Sequence, residues 1–120
     1  MDILLLEATQ DTPRILLNKR DGVFQITGRS ILEDPTSFYD SVMEWLNDYA
    51  QEPNPSTVFQ FKLNYFNSAT SKVIYNMLQV LKDIPGAQVE WCYHQGDDDI
   101  LEAGKEFEEE VEMAFNYKQI

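Results

Sequence analysis

The chain has 120 residues, 43% of them hydrophobic and 12% aromatic, and its 21 acids against 9 bases give a formal charge of −12 at pH 7. That apolar share excludes a disordered chain, and the length predicts one domain over residues 1–120 with a single core. The charge repels phosphate backbones and anionic lipid, which excludes nucleic acid and membrane as partners; with no long apolar run and no leader-like start, the chain is expected to be cytoplasmic.

Short apolar runs open the chain at Ile3 to Glu7, Arg14 to Asn18 and Val23 to Thr27. They read as three strands, the second and third joined in a hairpin through Arg20, Asp21 and Gly22. Asp34 and Pro35 then supply an N-cap and a proline at the first helical position. Phe38, Val42, Leu46 and Tyr49 follow at helical spacing, widened by Tyr39, Met43 and Trp45, and the helix must stop before Pro53.

Thr57 to Leu63 is rich in β-formers and suits a central strand. Asn64 to Ser68 reads as a polar turn into a second helix, whose buried face is Ile74, Met77, Leu78 and Leu81 and whose stop is Pro85-Gly86. Gln88 to His94 gives another strand, Asp98 to Glu110 a charged helix, and Met113 to Lys118 a terminal strand. The order of elements predicts an α/β domain with a mixed sheet of about five to six strands and helices packed on it.

Chemistry is sparse. His94 stands alone at a strand end, with no second histidine or cysteine spaced to share a metal. Cys92 has no disulfide partner in the chain and alternates with Trp91 and Tyr93, which predicts a semi-buried thiol without a basic neighbour to activate it. Asp97, Asp98 and Asp99 lack the alternation, glycine and closing glutamate of a calcium loop and suit a solvated helix start. No catalytic set, metal site or cofactor loop is assembled, so neither enzyme activity nor a cofactor is expected.

The junction Tyr65-Phe66-Asn67-Ser68-Ala69-Thr70-Ser71-Lys72 is the informative stretch. It sets three hydroxyls where a strand hands over to a helix; Asn67 or Ser68 can cap that helix. Lys72 lies near the first turn, where a cation opposes the helix dipole but would suit an added phosphate. A phosphoryl group on Ser68 would bring about two negative charges to an exposed edge.

Together with Thr12-Pro13 and Ile15, Gly28-Arg29-Ser30, Glu33-Asp34-Pro35, Phe38, Trp45-Leu46 and the segment Gly104 to Phe107, this junction resembles the SiaC family of regulatory phosphoproteins, a fold similar to the STAS domains of anti-sigma factor antagonists. The resemblance implies a partner-switching module: Ser68 as phosphate acceptor, with Thr70 and Ser71 as alternates. It also implies a serine/threonine protein kinase, a PP2C-type phosphatase, and a target such as a GGDEF diguanylate cyclase, with cyclic di-GMP and biofilm growth as output. Asn67 would hold the turn, and with Tyr65, Thr70 and Lys72 it would form the partner-binding edge. Two other readings stand beside it: a constitutive adaptor in which the hydroxyls only cap a helix and binding uses another acidic face, and a small metal-dependent hydrolase or ligand-binding domain built on Asp97 to Asp99 with His94.

Overall fold

The computed structural model describes every residue from Met1 to Ile120. Alternating burial makes the strands: Ile15 and Leu17, Phe24 and Ile26, Phe59, Phe61 and Leu63, and Val89 and Trp91 are all at most 3% exposed, while the residues between them point the other way. In chain order the elements are β1 (Leu4–Leu6), β2 (Arg14–Asn18), β3 (Val23–Ser30), α1 (Thr36–Gln51), β4 (Thr57–Phe66), α2 (Ser68–Lys82), β5 (Ala87–Tyr93), α3 (Asp98–Val111) and β6 (Phe115–Gln119).

The six strands lie in one sheet in chain order. β1, β2 and β3 pair antiparallel, and β3, β4, β5 and β6 pair parallel. Each parallel step is a strand–helix–strand crossover to the adjacent strand in the same direction, so the right-handed rule puts α1, α2 and α3 on one face. Tyr39, Val42, Leu46 and Tyr49 of α1 and Ile74, Met77, Leu78 and Leu81 of α2 fill the core beneath them, all at most 2% exposed.

The opposite face carries no helix. Gln25 donates to Gln60 at 2.9 Å and Gln60 to Glu90 at 2.7 Å, a side-chain ladder across three strands that satisfies these half-buried amides. Lys118 of β6 approaches Glu90 at 3.9 Å.

Two departures from the sequence reading share one cause. β3 runs on to Ser30 and β4 to Phe66, where a strand end at Thr27 and a turn from Asn64 were expected. Gly28 pairs with Leu63 but Arg29 pairs with Tyr65, which leaves Asn64 as an extra residue in a bulge opposite Gly28, whose φ is 116°. A bulge shifts the alternation by one. Phe66 therefore turns in against Trp91 and Phe107, while Tyr65 is 57% exposed. At α1 the helix begins one residue later than expected: Pro35 stands at the cap, and Asp34 Oδ1 accepts from the Thr36 N–H at 3.2 Å.

α3 is seated by a missing side chain. A Cβ on Gly104 would lie 2.5 Å from atoms of the Trp91 indole, so only glycine lets the helix come this close. The contact lets Trp91 Nε1 donate to the Ile100 carbonyl at 2.8 Å. Glu108 ties the far end of α3 to β6, accepting from Phe115 N and the Tyr117 hydroxyl at 2.7 Å each. Burial, together with the Glu108 carboxylate, raises the Tyr117 pKa well above its ordinary value.

Candidate functional site

α2 starts at Ser68 because Asn67 stops the strand and caps the helix. Asn67 is extended, with φ −88° and ψ 176°, and its Oδ1 accepts from the Thr70 N–H at 2.9 Å. Its Nδ2 donates to the Leu32 carbonyl at 2.8 Å, and its backbone N–H donates to the Ser30 carbonyl at 3.2 Å. Of the two caps the sequence allowed, Asn67 is the one used. Ser68 is left as the first helical residue, exposed, with its side chain in no hydrogen bond to the protein.

Thr70 is a correction to the sequence reading. It is 0% exposed, and its hydroxyl is bonded to Ser30 Oγ at 2.8 Å while donating to the Ser30 carbonyl at 3.3 Å. A buried, twice-bonded hydroxyl offers nothing to a modifying enzyme or a binding partner, so Thr70 leaves both the acceptor and the partner-edge lists. Ser71 is half-buried and donates to the Ser68 carbonyl at 2.8 Å.

Beneath the turn lies a hydroxyl network that sequence reasoning missed. The Tyr39 hydroxyl of α1 donates to Ser30 Oγ at 2.8 Å, and Ser30 in turn holds Thr70. Burial raises the Tyr39 pKa against the opposing effect of its bond to Ser30. Three elements, β3, α1 and α2, are thus joined under Ser68. Ser30 and Thr70 stand forty residues apart, and no local pattern announces their contact.

The surroundings are electrostatically simple. The first N–H groups of a helix have no intrahelical acceptor, and Asn67 occupies only that of Thr70, so those of Ser68 and Ala69 remain at the positive end of α2. Lys72, one turn on, is exposed and belongs to none of the ion pairs, which join Arg14 to Glu7, Arg20 to Asp21 and Lys118 to Glu90. Tyr65 lies across from Arg29 on the uncovered sheet face, and the two line a shallow hollow with Asn64. Ser68, Asn67, Tyr65 and Lys72 therefore gather at one end of the sheet.

The remaining candidates lie elsewhere. Asp97 caps α3, its Oδ1 accepting from the Ile100 N–H at 3.1 Å, and Asp98 and Asp99 fill the exposed first turn. His94 is exposed, and no group of three His, Cys, Asp or Glu side chains is arranged to hold a metal. Cys92 corrects the expectation of a semi-buried thiol without basic neighbours. It is 1% exposed, and Lys62 and Lys118 from the flanking strands both act on it; burial outweighs them, so the thiol pKa is raised.

No helix is long and apolar enough to cross a membrane. No curated protein sequence matches the chain. Among solved structures, apo-SiaC from Pseudomonas aeruginosa superposes with a TM-score of 0.83 at 21% identity, covering 99% of this chain and 98% of that one. The crystal structure of the diguanylate cyclase SiaD in complex with its activator SiaC, from the same organism, gives a TM-score of 0.87 at 20% identity over 98% and 99% of the two chains. These show a shared fold, and a family model described as SiaC family regulatory phosphoprotein matches residues 6–120. The chain belongs to the SiaC family of regulatory phosphoproteins.

Proposed function

We propose that this chain is a cytoplasmic phosphoswitch without enzyme activity of its own, in which Ser68 accepts phosphate and Tyr65, Asn67 and Lys72 shape the edge that a partner reads. The observation that carries the reading is the contrast within one helical turn: Ser68 is exposed with a free hydroxyl, while Thr70 is sealed and Ser71 is bonded back to the helix. A serine/threonine kinase adds the phosphate and a PP2C-type phosphatase removes it. The downstream target is a diguanylate cyclase, by analogy with the SiaD–SiaC complex, so that the output is cyclic di-GMP synthesis and biofilm growth.

Phosphate acts here through charge and bulk. It adds about −1.5 to −2 charges at a helix N-terminus, where the free N–H groups of Ser68 and Ala69 and the unpaired Lys72 can receive it. The turn needs no rearrangement, because the group is added to the solvent side.

The test is incubation with the cognate kinase followed by mass spectrometry of the peptide spanning the junction. One phosphate is expected on Ser68, absent in Ser68→Ala and retained in Ser71→Ala. Phosphate on Ser71 or only outside the junction would overturn the assignment. Equal partner binding by Ser68→Ala, Ser68→Asp and the parent would favour a constitutive adaptor.

A further inference from the structure

From β3 to β6 the strands run parallel, and a parallel sheet is ordinarily buried on both faces because helices cover each side. Here α1, α2 and α3 share one side, so the other face of these strands is left open.

The strand register orders the open face in rows. At one end Val23 and Val58 are neighbours, one residue before the Phe24–Phe59 pair, and Ile3, Leu5 and Val58 are exposed. In the middle, Leu5 pairs with Leu16, Leu16 with Gln25 and Gln25 with Gln60, which leads into the amide ladder ending on Glu90. At the other end Arg14 pairs with Thr27 and Thr27 with Lys62, and Lys62 and Lys118 flank Cys92. The strands carry four bases, Arg14, Arg29, Lys62 and Lys118, and alternation turns every one of them to this face. Glu90 is the single strand acid. Arg14 meets Glu7 at 3.6 Å and Lys118 meets Glu90 at 3.9 Å, while Arg29 and Lys62 are in no ion pair. In a chain of formal charge −12, the open face thus grades from an apolar end to a cationic one.

We infer that the open sheet face is a docking site for an amphipathic acidic helix of a partner protein, which covers the apolar end with aliphatic side chains and sets Asp or Glu against Arg29, Lys62 and Lys118. A helix is what covers a parallel sheet in layered α/β folds, and opposite charge orients it. Val58 and Lys62 stand four residues apart on β4, about 13 Å, a distance spanned by about nine residues of helix. A second copy of this chain does not fit. The same face would set like charges together, and α1 and α3 present acids outward while their apolar stripes pack on the core. An anionic bilayer does not fit either, because it would repel a chain of charge −12. The face lies across the sheet from α2, so the site is separate from Ser68 and stands whether or not Ser68 is the switch.

The probe is a synthetic peptide of about 18 residues, with glutamates on one face of its first two turns and leucines at positions i, i+3, i+4 and i+7 of its second half. It is titrated into the ¹⁵N-labelled full chain, and amide shifts are followed by NMR. Shifts are expected over Val23 to Arg29, Val58 to Lys62 and Gln88 to Cys92, with little change along α2 and α3. Arg29→Glu with Lys118→Glu, both exposed positions, should weaken binding about fivefold or more. Lys82→Glu with Lys105→Glu, an equal change in net charge on the helix layer, should alter it less than about twofold. Ile3→Ser with Val58→Thr should weaken it about threefold, and the peptide with lysines for glutamates should not bind. The amide spectrum of each variant checks that it is folded as the parent. No shifts, shifts centred on the helix layer, equal losses from the two charge pairs, or binding of the lysine peptide would each overturn the inference. So would co-sedimentation with vesicles of phosphatidylserine and phosphatidylcholine that Arg29→Glu with Lys118→Glu abolishes, which would make the face a lipid site.

Discussion

Thr70→Val separates the hydroxyl that holds the site from the one proposed to be modified. Valine keeps the volume and branching of threonine but deletes the oxygen that bonds Ser30 Oγ at 2.8 Å and the Ser30 carbonyl at 3.3 Å. Ser30 keeps the Tyr39 hydroxyl as a donor, so both bonds of the Thr70 hydroxyl are lost and the network survives in part. A buried partner left underused costs about 1–3 kcal/mol; of the two lost bonds the one to the carbonyl is long, and Ser30 Oγ keeps Tyr39, so with the volume conserved the expectation is about 1–2 kcal/mol in all. For a domain of this size that lowers Tm by about 4–8 °C. Ser68→Ala removes an exposed, unbonded hydroxyl and should change stability by less than about 0.5 kcal/mol. Urea unfolding followed by tryptophan fluorescence gives the stabilities, and mass spectrometry after kinase treatment gives the modification. The expected result is a double dissociation: Thr70→Val is destabilised and still phosphorylated, while Ser68→Ala is stable and unphosphorylated. A Thr70→Val variant that keeps its stability but takes no phosphate would refute the reasoning.

Gly104→Ala tests packing through its sign. Helix propensity alone predicts a gain of about 1 kcal/mol, but a Cβ at 2.5 Å from the Trp91 ring must push α3 away, and overpacking costs about 1–3 kcal/mol before the Trp91–Ile100 bond is counted. Net destabilisation in urea unfolding is expected; a more stable variant would mean that α3 does not sit as described. Asn67→Ala removes the cap of α2 and the bond to Leu32, and should cost about 1–2 kcal/mol by the same assay. High pH tests the two tyrosines. Tyr39 and Tyr117 have folded pKa values raised above the unfolded value of about 10, so their contribution is fully present below about pH 10 and is lost as pH rises toward the folded values. Urea midpoints should fall above about pH 10, and Tyr117→Phe should flatten that fall; an unchanged slope in the variant would count against the Glu108–Tyr117 contact.

Much of the fold was legible because its helices and central strands have clean periodicity. Phe59, Phe61 and Leu63 alternate, and Ile74, Met77, Leu78 and Leu81 mark a helical face, so the elements and their order follow from spacing alone. The ends of β3 and β4 were hidden because the bulge at Asn64 breaks the alternation just where polar residues resemble a turn. The site was legible as a place and less so as a set of roles. Asn67 caps through its immediate neighbours, a local relation that sequence displays. Thr70 is fixed by Ser30 and Tyr39 on other elements, and the lysines beside Cys92 arrive from adjacent strands. Contacts made by topology leave no signature in spacing.

The same network bears on how a phosphate could be read. Beneath Ser68 the turn is fixed by Asn67 bonded to Thr70, Leu32 and Ser30, and by Thr70 bonded to Ser30, which Tyr39 also holds. Rearranging it would leave several buried polar groups unpaired at about 1–3 kcal/mol each, more than an exposed ion pair between a phosphate and Lys72 returns. The lower-energy response is for the backbone to stay and for Lys72, free on the surface, to turn toward the phosphate. The altered surface is then the exposed first turn of α2, where Ser68 and Lys72 lie one turn apart. A partner would sense a changed charge pattern on an unchanged shape, so crystal structures of the two forms should superpose closely through residues 64–72 while their affinities differ.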